Sequence, residues 1–140
     1  MAEINHEIKI AAAPEKVFAA LTKAEGLKGW QSAHVEGDGS HSTPWRFEFA
    51  ERPTFRWEVT ESVSPKRVVW RCVEGPGDAV GTGVTVQLSG ADRGRTLVEF
   101  AHTGWPGTDG NYRKCNTYWG VLLHHLKQYV ETGVPRPAFA

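Results

Sequence analysis

The stretch Asn111-Tyr112-Arg113-Lys114-Cys115-Asn116-Thr117-Tyr118-Trp119-Gly120-Val121-Leu122-Leu123-His124-His125-Leu126-Lys127-Gln128-Tyr129-Val130-Glu131 decides the architecture. Laid out at about 100° per residue, Cys115, Trp119, Leu122, Leu126, Tyr129 and Val130 gather on one side of a helical wheel. Tyr118 and His125 sit on one flank of that stripe and Leu123 on the other, while Arg113, His124 and Lys127 turn towards water. Gly133 just past the last turn and Pro135 beyond it end the helix, because glycine accepts the left-handed turn and proline cannot continue the ladder. A helix of some twenty residues reaches roughly 30 Å, about the width of a small sheet. It can lie across the concave side of such a sheet and leave a space beneath it.

Working back from this helix, the chain alternates with period two. Ile4, His6, Ile8 and Ile10 predict a first half-buried strand. Pro14 suits a first helical turn, and Val17, Phe18 and Leu21 predict a short helix over Pro14 to Leu21. Thr22 and Glu25 then read as a capping box ahead of Leu27 and Trp30, with Gly26 and Gly29 keeping a second helix brief. Residues 31–44 read as a loop with a weak strand around His34 to Glu36. Trp45, Phe47 and Phe49 alternate with polar neighbours, as do Phe55, Trp57 and Val59, so two antiparallel strands joined at Glu51 to Pro53 are expected. Val68, Trp70 and Cys72 share a face of the next strand, which reads as covered on more than one side. Val84, Val86 and Leu88 follow, then Thr96 to Phe100. Helices and strands segregated in this order predict an α+β fold. No repeat, low-complexity tract or linker divides the chain, so residues 1–140 are expected to form a single domain.

Sixteen basic residues balance sixteen acidic ones, so no basic field draws in nucleic acid. No uncharged run approaches the roughly 18–20 residues of a membrane span, which argues against integral membrane association. Glu3, Glu7 and Lys9 interrupt the opening strand, unlike a secretory signal, and a cytoplasmic location is expected. Cys72 and Cys115 lack any CxxC spacing and read as reduced, packed thiols. Six Trp, six Phe and three Tyr make the chain rich in flat apolar surface, which either fills a core or binds something flat.

The segments Ile8 to Thr22, Glu25 to Trp30, Glu58-Val59 with Pro65 to Trp70, and Thr117 to Leu123 resemble the helix-grip superfamily, also called START-like or SRPBCC. Within it, His102-Thr103-Gly104-Trp105-Pro106 is most similar to the branch named after the activator of the heat-shock-protein-90 ATPase. The resemblance implies a curved antiparallel sheet wrapped around the long C-terminal helix, with two short helices after the first strand and an apolar cavity between sheet and helix. It also implies a choice of roles. Members bind lipids, sterols or polyketides; some cyclise or dehydrate such ligands; some are co-chaperones.

Candidate cavity residues follow from the faces. If Val98 and Phe100 point inward, so does His102, either as a polar or acid–base group for a ligand or as a histidine tied to a backbone carbonyl. Phe47, Phe49, Phe55, Trp57 and Trp70 would present aromatic rings from adjacent strands, against a ligand or into a filled core. Trp105 either caps the entrance from a loop or anchors that loop. Tyr118 and His125 stand where a cavity wall meets its mouth, or at the edge of the core with wet tips. Glu61 and Arg71 read as a buried pair or as ordinary solvated strand charges. His124-His125 point about 100° apart, no HExxH exists, and Gly75-x-Gly77 and Gly81-x-Gly83 precede a strand rather than a helix, so neither a metal nor a cofactor is expected. The chain is expected to bind a small hydrophobic or aromatic molecule, with a chaperone-directed interaction protein and a polyketide cyclase or dehydrase as alternatives.

Overall fold

Alternation places Ile4, His6, Ile8 and Ile10 on the inner face of β1 (Ala2–Ile10) in the computed structural model, which describes residues 2–139. Met1 and Ala140, the ends of the expected domain, lie outside the described residues. Two short helices follow, α1 (Pro14–Thr22) and α2 (Ala24–Trp30). Six further strands come next: β2 (His34–Glu36), β3 (Trp45–Glu48), β4 (Phe55–Val63), β5 (Arg67–Glu74), β6 (Gly83–Gly90) and β7 (Thr96–Trp105). The long helix α3 (Asn111–Thr132) closes the order. One antiparallel sheet contains all seven strands in the order β1-β7-β6-β5-β4-β3-β2. The fold is the α+β helix-grip arrangement, with α3 held against the inner face of the sheet.

The helix is seated by its apolar stripe. Cys115, Trp119, Leu122, Leu123, Leu126 and Val130 are buried, and Gly133 caps the end in the left-handed region with its N–H bonded to the Tyr129 carbonyl at 2.7 Å. One side of α3 is laced to β1. The Tyr112 hydroxyl donates to the Glu3 carbonyl, His6 Nε2 meets Asn116 Oδ1 at 3.1 Å, and Lys127 Nζ donates to the Lys9 carbonyl. This lacing holds α3 on the β1 side and leaves its other flank free to bound a space.

Three local expectations are corrected. Thr22 is the last residue of α1 and its hydroxyl donates to the Phe18 carbonyl, so no Thr22–Glu25 capping box forms; Lys23 in an extended conformation separates the helices. β5 is buried on one face only, since Val68, Trp70 and Cys72 are enclosed while Arg71 is exposed. β7 runs on to Trp105 rather than stopping near Phe100, because β1 continues to pair with it as far as Ala2↔Trp105.

Close approach of α1 and α2 explains Gly26. A Cβ there would stand 2.6 Å from the Ala20 Cα, while the Trp30 indole N–H donates to the Ala20 carbonyl at 2.9 Å across the same contact. Gly120, by contrast, lies exposed within α3, and a Cβ there would meet only His6 Cε1, at 4.0 Å. Chemical denaturation should therefore separate the two. Gly26→Ala is expected to destabilise by about 1–3 kcal/mol through backbone overlap, and Gly120→Ala to stabilise by about 0.5–1 kcal/mol through helix propensity. Effects of the same sign would contradict this account.

Candidate functional site

A cavity of about 240 Å³ lies between the N-terminal half of α3 and the β3–β4 end of the sheet. Its walls are mostly rings, from Phe49, Phe55, Trp57, Tyr118, Trp119 and Phe139, with Leu122 beside them. Stacked Phe55 and Trp57 stand two residues apart on β4, 6.0 Å between centroids and 6° between planes, as the period of a strand requires. Exposed Glu51, Arg52, Pro53 and Lys114 form the mouth, and buried His102, Trp57, Trp119 and Gln31 form the inner end.

His102 is fully buried, and both ring nitrogens are already engaged. The Trp119 indole, which can only donate, bonds His102 Nδ1 at 3.0 Å, so Nδ1 is the acceptor and the ring proton sits on Nε2. That proton is donated to Thr82 Oγ1 at 2.7 Å, and the Thr82 hydroxyl passes its own to the Ala79 carbonyl at 2.6 Å. With no acidic partner, burial alone lowers the imidazole pKa from 6.5 to about 3. His102 therefore presents a neutral ring to the cavity, with no free lone pair and no spare proton for acid–base work.

The unspent polar group is Gln31. It follows α2, is 2% exposed, lines the cavity, and its side-chain Nε2 has no hydrogen-bond partner. Its backbone carbonyl accepts from the Phe139 N–H, so the C-terminal segment that supplies the Phe139 ring is tied to the same residue. Phe139 in turn packs edge-on against Phe49 at 5.8 Å and Tyr118 at 5.3 Å, and the Arg52 guanidinium lies over it at 4.5 Å. Burial pushes the Cys115 thiol up to about 11, so it lines the wall as a neutral group. Among the described residues no group of three His, Cys, Asp or Glu is arranged to hold a metal ion.

The structure brings four of the expected residues, Phe49, Trp57, His102 and Tyr118, to this cavity, together with Phe55. Four others lie elsewhere. Phe47 and Trp70 are buried against each other, 6.2 Å between centroids, because β3 and β5 carry them into the closed part of the core. Trp105 is no loop cap: it ends β7, fully buried, 4.7 Å from the His102 ring and 6.1 Å from Tyr112. His125 lies towards the C-terminal end of α3 and donates from Nδ1 to the Arg136 carbonyl at 2.6 Å, fastening the tail rather than facing the cavity. Glu61 pairs instead with Arg67 at 3.0 Å on the surface, and Arg71 is exposed. Sequence reasoning put Trp119 on the apolar stripe without seeing its bond to His102. It had no signal for Gln31 or Phe139, whose positions depend on how α2 and the tail pack.

Residues 11–131 match the family described as Activator of Hsp90 ATPase homolog 1-like protein. The chain belongs to that family. It is similar to a protein whose solution structure is described as the Aha1 dimer from Colwellia psychrerythraea, at 36% identity and TM-score 0.83, covering 95% of this chain and 98% of that one. The fold is shared more distantly with DynU16, described as a putative protein in the dynemicin biosynthetic locus, at 20% identity and TM-score 0.77, over 99% of this chain and 49% of that one. A protein from Mesorhizobium loti matches at 18% identity and TM-score 0.77, over 91% of this chain and 95% of that one. Comparison with curated protein sequences found no significant match. Membership in the Activator of Hsp90 ATPase homolog 1-like family places the chain in the START-like superfamily, and no helix of the described residues is long and apolar enough to cross a membrane.

The neutral His102 makes stability depend on pH in a definite direction. The unfolded chain takes up a proton on this side chain as pH falls below about 6.5, while the folded one resists until about 3. Stability is therefore complete above about 6.5 and declines as pH falls through that window. Denaturation curves at stepped pH should show His102→Gln with a shallower decline than the parent, and Thr82→Val, which strands the His102 Nε2 proton, losing about 1–3 kcal/mol at pH 7.

Proposed function

We propose that the chain is a single helix-grip domain that binds a small hydrophobic or aromatic molecule in the cavity between β4, the loop before it, β7 and α3. One observation carries this reading: ring-lined space of about 240 Å³ remains where the long helix crosses the sheet, open at Arg52 and Lys114. Protein interiors normally fill such space. Sites for small molecules combine apolar walls with a few placed polar groups. A lipid-, sterol- or polyketide-like ligand is the class the superfamily suggests, and a cytoplasmic setting fits the sequence.

A second reading takes its support from the family's description as activator-like towards the Hsp90 ATPase: the chain acts by touching a chaperone. Stimulation of a chaperone's ATP hydrolysis by the purified chain, unaffected by changes inside the cavity, would favour it. For cyclase or dehydrase chemistry, His102 is poorly suited, since both its nitrogens are bonded within the protein.

Titration with a hydrophobic fluorescent dye, followed by competition with fatty acids, sterols and flavonoids, tests the first reading. Saturable binding is expected, and Leu122→Trp, which adds bulk to the cavity wall, should weaken it at least tenfold while leaving the fold intact. Undiminished dye binding by that variant would place the dye elsewhere and remove the support for a cavity ligand.

A further inference from the structure

We infer that residues 134–139, the strap that follows α3, gate the cavity: a ligand enters and leaves when the strap peels from α2, and is retained while Phe139 is latched beneath Arg52. The inference rests on the cavity reading above and adds how access to that space is controlled.

The path of the strap makes it the wall able to move. Past Gly133 the chain doubles back along α3, with Arg136 beside His125 and Phe139 beside Tyr118, and brings the Phe139 ring to the cavity. The ring stands edge-on to Phe49, just beyond β3, at 5.8 Å and to Tyr118 at 5.3 Å, so it bridges the sheet side and the helix side. The Arg52 guanidinium covers it at 4.5 Å, a cation over a ring. Arg52 reaches that place from a tight turn, with Glu51 in the left-handed region at φ 58° and the Arg52 N–H donating to the Phe49 carbonyl at 3.2 Å. A residue other than glycine is held there only against a conformational cost. The latch is therefore a shaped turn rather than slack loop.

The fastening of the strap is light. Among the described residues four bonds hold it to the rest of the fold. The N–H groups of Arg136, Ala138 and Phe139 donate to the carbonyls of Gly29, Trp30 and Gln31 at 2.9, 3.0 and 3.4 Å, and His125 Nδ1 donates to the Arg136 carbonyl at 2.6 Å. Pro135 and Pro137 have no N–H to add. The other walls, β4, β7 and α3, belong to a sheet ladder or a long helix. Segments with few bonds and exposed backbone open at a fraction of the free energy of global unfolding. The strap can thus open while those walls stay closed.

Two of the strap's holding points stand away from the cavity, since neither His125 nor Ala138 lines it. A gate and a fixed wall make opposite claims about them. If access requires opening, losing one holding bond raises the open population, and association and dissociation accelerate by the same factor with Kd preserved. A fixed wall leaves both rates unchanged.

The test uses the full chain, His125→Leu, which removes the bond to the Arg136 carbonyl, and Ala138→Pro, which removes the N–H given to Trp30. Stopped-flow binding of prodan, a neutral naphthalene dye, is expected to show both rate constants rising about threefold to tenfold in each variant, the factor of one net hydrogen bond. Kd should change less than about twofold. Hydrogen exchange of the dye-free chain should find the Arg136 and Phe139 amides exchanging well before those of Val98 and Phe100 in β7, and faster still in both variants. Rates unchanged in both variants, dissociation accelerated alone, or Arg136 and Phe139 amides exchanging only together with β7 would each overturn the gate while leaving a ligand cavity in place. If prodan does not bind saturably, or binds Leu122→Trp as well as the parent, the cavity reading itself fails and the gate fails with it, however fast the strap exchanges.

Discussion

A buried imidazole that must stay neutral is the constraint on which this arrangement turns. His102 joins three separate parts of the chain: α3 through the Trp119 indole, its own strand β7, and the turn between β5 and β6 through Thr82 and Ala79. Each partner has one possible role in the chain of bonds. An indole can only donate, so the ring must accept at Nδ1 and carry its proton at Nε2, and the threonine hydroxyl must relay to a carbonyl. Because every polar atom is satisfied, the network tolerates complete burial. It thereby pins the helix to the sheet at one depth, and the inner boundary of the cavity is set at that depth.

The hollow is a consequence of uneven fastening. On the β1 side, α3 is held by Tyr112, Asn116 and Lys127 to backbone and side chains of the first strand. On the opposite side β3 and β4 are short or partly exposed, and the cavity, lined by large rings, lies between β4 and α3. Rings held in strand and helix rotamers cannot collapse to close every gap, so space persists where dispersion contacts are missing. The C-terminal segment partly closes it by bringing Phe139 across Phe49 and Tyr118.

The chemistry available at the site follows from the same bonds. A histidine on an inward strand face looks like an acid or base until its neighbours are known, and here those neighbours consume both nitrogens. A glutamine at the end of a two-turn helix looks like a surface residue, yet Gln31 is buried beside the cavity, with its side-chain nitrogen enclosed and without a partner.

Periodicity by itself determined the elements. Spacings of two gave the inward residues of the strands from Ile4 to Phe100, spacings of three and four gave the stripe of α3, and glycine and proline marked its end, because side-chain direction in regular structure depends only on local geometry. Phe49, Trp57, His102 and Tyr118 reached the cavity as their faces implied. Tertiary structure alone decided the rest. Phe47, Trp70 and Trp105 point inward like their neighbours but meet closed core, and His125 was claimed by the tail. Facing inward is a property of one strand or helix, whereas facing empty space depends on what arrives from the other side, and the partners of His102, Gln31 and Phe139 come from segments many residues away.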